Sequence, residues 1–87
     1  MQIAVFDTYV KRPDGRRMHF DILVPNEGKN LEAVLAFGHR YLSTKGIPAS
    51  TLSASECRFC HIESAPAALE REIHAQGFSI IEMENCD

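Results

Sequence analysis

Eighty-seven residues, 45% of them apolar and 24% charged, fit one small globular domain, 1–87, with a single core. The net charge of −3 gives no general signal for nucleic acid, and no run approaches the ~18 apolar residues of a membrane span. Met1-Gln2 leads straight into a strand-like run without a basic or long apolar leader, and three cysteines are an odd number. The expectation is a reduced cytoplasmic protein, not a disulfide-framed secreted one.

Residues 3–10 and 18–25 are rich in β-branched and aromatic side chains and predict two strands. Between them, Arg12-Pro13-Asp14-Gly15-Arg16 has the chemistry of a tight turn: proline presets φ, aspartate suits the next corner and glycine accepts φ > 0. Pairing Arg12 with Arg16 fixes the register. Ala4, Phe6, Thr8 and Val10 then face Val24, Ile22, Phe20 and Met18, an apolar set that must pack on the core. The other face carries Ile3, Val5, Asp7, Tyr9 and Lys11 against Pro25, Leu23, Asp21, His19 and Arg17. The basic cluster Lys11, Arg12, Arg16 and Arg17 reads as a solvated hairpin tip, with a phosphate patch as the alternative.

Residues 30–45 predict a helix capped by Asn30 and stopped by Gly46, with Leu31, Val34, Leu35, Gly38, Tyr41 and Leu42 at helical spacing. Gly38 in that stripe points to a close helix–sheet approach. Residues 47–55 are small, polar and proline-containing, and predict a loop. Residues 56–63 predict a third strand. A second helix opens at Ser64-Ala65-Pro66, buries Leu69 and Ile73 and ends at Gly77, and 78–84 predict a fourth strand. The order ββαβαβ defines an α+β fold. The strand–helix–strand spacing at the end predicts a parallel crossover, hence a mixed four-stranded sheet with both helices mainly on one face. His39 and His74 fall away from the apolar stripes and read as surface histidines.

Cys57-Arg58-Phe59-Cys60-His61 matches the haem-attachment spacing, and its thiols and imidazole are zinc-ligand types that Cys86 could complete. In a regular strand, however, Cys57, Phe59 and His61 point one way and Arg58, Cys60 and Ile62 the other. That separation opposes haem and zinc, the absence of a helix start at the thiols opposes dithiol chemistry, and Cys57 and Cys60 read as small apolar residues of a packed strand. Cys57, Cys60 and His61 remain one candidate metal set.

The second candidate is Asp7, Tyr9, His19 and Asp21 on the face opposite the core. Two carboxylates placed directly opposite repel unless solvated, protonated or bridged by a cation. If the third strand turns His61 toward them, the set becomes Asp/Asp/His/His, suited to a divalent ion or to acid–base work. The same open face, with Ile3, Val5 and Leu23 as apolar area, is a possible homodimer surface.

The strings Ala4-Val5-Phe6-Asp7-Thr8-Tyr9-Val10, Met18-His19-Phe20-Asp21-Ile22-Leu23-Val24-Pro25, Glu56-Cys57-Arg58-Phe59-Cys60-His61-Ile62-Glu63 and Ile80-Ile81-Glu82-Met83-Glu84 together resemble the bacterial domain of unknown function 2024 (DUF2024) from end to end. The resemblance implies a compact cytosolic α+β domain of bacterial source. It carries over no activity, cofactor or site residue. No recognised catalytic motif is present. The residues favour a binding or interaction module using the open sheet face, with a metal-binding protein as the alternative; they specify no cofactor and no physiological partner.

Overall fold

The turn chemistry sets the first two strands. In the computed structural model, which describes residues 1–87, Arg12 N–H donates to the Arg16 carbonyl at 2.8 Å, and Gly15 takes φ of 90°. Strand β1 (Gln2–Lys11) therefore pairs antiparallel with β2 (Arg17–Pro25) in the expected register, Asp7 opposite Asp21 and Tyr9 opposite His19. Arg12 and Arg16 of the basic hairpin tip are engaged within the chain. Arg12 donates to the Asn85 and Asp87 carbonyls at 2.6 and 2.9 Å, and Arg16 pairs with Asp14 and Asp87.

Helix α1 (Leu31–Thr44) starts where the Asn30 side chain accepts the Ala33 N–H at 3.2 Å. It packs Val34, Tyr41 and Leu42 on Ala4, Phe6, Phe20, Ile22 and Val24. A Cβ on Gly38 would lie 2.6 Å from Leu52 and 3.1 Å from Ile22, so a methyl there would be overpacked. The following loop is not merely solvated. Its two short 3-10 turns, Ala49–Thr51 and Ala54–Glu56, bring Ile47 and Leu52 into the core. His39 Nε2 donates to the Leu52 carbonyl at 3.2 Å, so this half-buried histidine ties down the loop and is not the free surface residue expected.

The sheet departs from expectation in topology. Its order is β3-β1-β2-β4, with β3 (Cys57–Ser64) on the outer edge of β1 and β4 (Ser79–Glu84) on the outer edge of β2, every pair antiparallel. The expected parallel crossover and mixed sheet are thus corrected. Ser64 lies opposite Gln2 and Ser79 opposite Leu23, so β3 ends and β4 begins at the same end of the sheet. Helix α2 (Ala67–Gln76) must then lie across that end. Its length of about 15 Å matches the three strand gaps it crosses, each about 4.8 Å.

The helices also lie on opposite faces, not on one. On the face away from α1, Ile73 of α2 seals a second cluster with Ile3, Val5 and Leu23, flanked by Ala65 and Leu69. Ile3, Val5 and Leu23 are therefore buried and unavailable as the apolar area of a homodimer surface. Because α2 reaches only the far end, the hairpin end of this face stays uncovered. No helix is long and apolar enough to cross a membrane.

The pleat of β3 requires a further correction. Val5 pairs with His61 and Phe6 with Phe59, which leaves Cys60 as an extra, bulged residue. Before the bulge, Cys57 and Phe59 share the α1 face with Thr8 and Phe6. After it, His61 shares the α2 face with Val5. His61 thus leaves the side of Cys57 and Phe59 and joins the side of Asp7.

Candidate functional site

The uncovered end of the α2 face brings together what β1 and β2 carry at facing positions. Asp7 and Asp21 are directly opposed, and His19 lies on the diagonal. His19 Nε2–H donates to Asp7 Oδ1 at 2.9 Å and stands 3.8 Å from Asp21 Oδ1. One ligand atom from each of the three residues falls within 4.8 Å of the others. Tyr9 stacks on the His19 ring, centroids 4.3 Å apart and planes at 14°, and the Arg17 guanidinium lies over the Tyr9 ring, 4.1 Å from its centroid. This stack restricts the imidazole to the orientation that meets Asp7.

The two carboxyls are held in unlike states. Asp21 is only 17% exposed, and its Oδ1 is buried without a hydrogen-bond donor. Burial first, then its hydrogen bond and charge repulsion with Asp7, push its pKa up to about 6. The His19 hydrogen bond holds Asp7 below the usual carboxylate range. Charge on His61 favours ionisation of both, in keeping with its place on this face. Asp7 and Tyr9 open on a hollow of about 330 Å³, whose other walls are Arg17, Ser55, Glu56 and Arg58. A larger hollow of about 490 Å³ beside α1 offers no such free set, because its Glu82 already accepts from Tyr41 and pairs with Lys45 at 2.9 Å.

The cysteines are placed apart from one another. Cys57 is buried on the α1 face, where the Thr8 hydroxyl donates to its sulfur at 3.5 Å and burial raises its pKa. Cys60 is exposed on the bulge, its sulfur 3.2 Å from His61 Nδ1. Cys86 is buried beyond β4 and donates to the His19 carbonyl at 3.3 Å. Of the C-x-x-C-H run, only Cys60 and His61 meet. Cys60 is accordingly not the packed thiol expected. A thiol reagent added to native protein should label one cysteine quickly, Cys60, while Cys57 and Cys86 wait for opening of the structure. Fast labelling of two thiols, read by mass spectrometry, would contradict this placement.

Asp7, Tyr9, His19 and Asp21 stand together as the hairpin register requires, whereas the hollow's second wall of Ser55, Glu56 and Arg58 was not anticipated from the sequence. Arg58 is legible only once β3 is known to pair with β1, where it lies opposite Asp7. The bulge left only a weak signal: Phe59 and Cys60 are adjacent apolar residues in a strand that otherwise alternates, Cys57, Phe59 and then Cys60, Ile62.

An all-antiparallel four-stranded sheet with one helix on each face, and a polar cluster on the half-face left open, defines a small α+β sheet domain. The profile of the family described as Domain of unknown function (DUF2024) matches residues 1–83, and the chain belongs to that family. Among solved structures it is similar to the NMR structure of protein NE1680 from Nitrosomonas europaea, with 40% identity, a TM-score of 0.87 and all of both chains covered. No curated protein matches the sequence.

Proposed function

We propose that this chain is a binding module whose contact surface is the hairpin end of the α2 face, built around a divalent cation held by Asp7, His19 and Asp21. One observation carries the reading: three ligand atoms converge within 4.8 Å, and one of the carboxyls has a buried oxygen with no donor. The separations of 2.9 and 3.8 Å from His19 Nε2 bracket the ~3.0–3.4 Å between neighbouring ligands of an ion with bonds of about 2.1 Å. One imidazole and two carboxylates suit borderline ions such as Zn²⁺ or Mn²⁺. Three protein ligands leave coordination positions open toward the hollow beside Asp7, where a ligand's oxygen could complete the shell.

Calorimetric titration with Zn²⁺ and with Mn²⁺ tests the reading. One equivalent is expected to bind, more tightly at about pH 8 than at about pH 5, because Asp21 must lose its proton to become a ligand. His19→Ala should lower the affinity tenfold or more, and Cys60→Ser should leave it unchanged. Absence of binding heat with either ion, or loss of binding in Cys60→Ser alone, would overturn the proposal.

A further inference from the structure

The outer edge of β3 has no strand beside it, and we infer that it pairs antiparallel with the same edge of a second copy of this chain. β3 is the last strand on its side of the sheet, so outward-facing backbone N–H and C=O groups stand unpaired along it, and every residue after Cys57 is exposed. Its two large apolar side chains, Phe59 and Ile62, are 49% and 42% exposed.

The bulge decides the register. In an unbroken strand, residues equidistant from the midpoint of Cys60 and His61 would lie on opposite faces and could not oppose each other in a two-fold pair. The inserted residue reverses that. Phe59 and Ile62 now share the α1 face, paired to Phe6 and Ala4, while Arg58 and Glu63 share the α2 face, paired to Asp7 and Ile3. The strand becomes symmetric about that midpoint. A two-fold axis there sets Phe59 against Ile62 of the second copy on one face, and Arg58 against Glu63 of the second copy on the other. Each contact occurs twice, and the outward backbone groups of opposed residues are of matching ladder type. The two identical bulges meet at the axis, so both strands bend alike.

The charges select this edge over the other. β4 carries Glu82 and Glu84 and no base, so a copy of itself would bring like charges together. β3 brings opposite charges together and apolar side chains together. One short strand per copy covers less than the ~800 Å² per partner of a standard interface, so the dimer should dissociate on dilution through the micromolar range.

Sedimentation velocity across that range tests the inference, independently of any cation. The wild type should pass from monomer to dimer with concentration. Glu63→Arg and Arg58→Glu should each shift the midpoint about tenfold upward or more, and the double exchange should restore it. Ile62→Thr, a change at an exposed position that leaves the fold intact by circular dichroism, should weaken the dimer as well. A monomer at every concentration would overturn the inference. So would a dimer indifferent to both single charge reversals, which would place the interface elsewhere.

Discussion

Replacing Asp21 by asparagine should make the protein more stable at about pH 8, by about 2 kcal/mol, and should flatten its stability between about pH 4 and pH 6. Most substitutions destabilise, so the sign is the informative part. The Asp21 carboxyl titrates near 6 when folded and at 3.8 as an ordinary aspartate. Across that window the folded chain holds a proton that the unfolded chain has released. A raised folded pKa gives stability that is complete below the unfolded value and is lost as pH rises through the folded one. Above pH 6 the wild type therefore bears an ionised, partly buried carboxylate opposite Asp7. Asparagine is nearly the same size, carries no charge and can donate to Asp7. Asp7 works in the opposite sense, since its lowered pKa gives stability that is lost as the solution is acidified. Urea unfolding of both proteins at a series of pH values checks the claim, and a variant no more stable than wild type at about pH 8 would refute it. The same substitution should abolish cation binding. A residue that costs stability and gains nothing within the fold is what a ligand site looks like before its ligand arrives.

Ile73→Ala should cost about 3 kcal/mol, more than any other truncation on α2. Ile73 is the one buried residue of that helix, and it closes the cluster of Ile3, Val5 and Leu23. Leu69 is only partly buried against the same cluster, so Leu69→Ala should cost about half as much. The Gly77 N–H bonded to the Ile73 carbonyl at 2.7 Å ends α2 one turn after this residue. Denaturant midpoints of the two variants test the ranking. If Leu69→Ala proved the more harmful, α2 would sit on the sheet differently from the packing described above. The effect also bears on the candidate site, because α2 covers the far half of this face and so fixes where the open half begins.

The sequence carried the hairpin in full. Pro13-Asp14-Gly15 dictates a turn, the turn dictates the register, and the register alone opposes Asp7 to Asp21. Gly38 likewise announced a close approach, which Leu52 and Ile22 supply. Strand order was not legible. Both outer edges of the hairpin are alike to a local reading, and the short α2 spacing suits a parallel crossover as well as a helix laid across the sheet. Asp21 lies between Asp7 of β1 and Ile81 of β4, so the site's surroundings were hidden along with the strand order. The bulge at Cys60 was hidden because Cys57-Phe59 and Cys60-Ile62 each alternate regularly, and nothing local says that an extra residue lies between them. That single insertion separates Cys57 from His61 and turns His61 toward the carboxylates.

The central claim is that Asp7, His19 and Asp21 together accept a divalent cation. Long-range proton–nitrogen NMR of the four imidazoles, recorded during titration with Zn²⁺ at about pH 8, tests it residue by residue. The His19 ring nitrogens should shift and saturate at one equivalent, while His39 and His74 stay unmoved. A titration in which His19 does not respond, or in which His61 shifts alone beside the Cys60 thiol, would contradict the account.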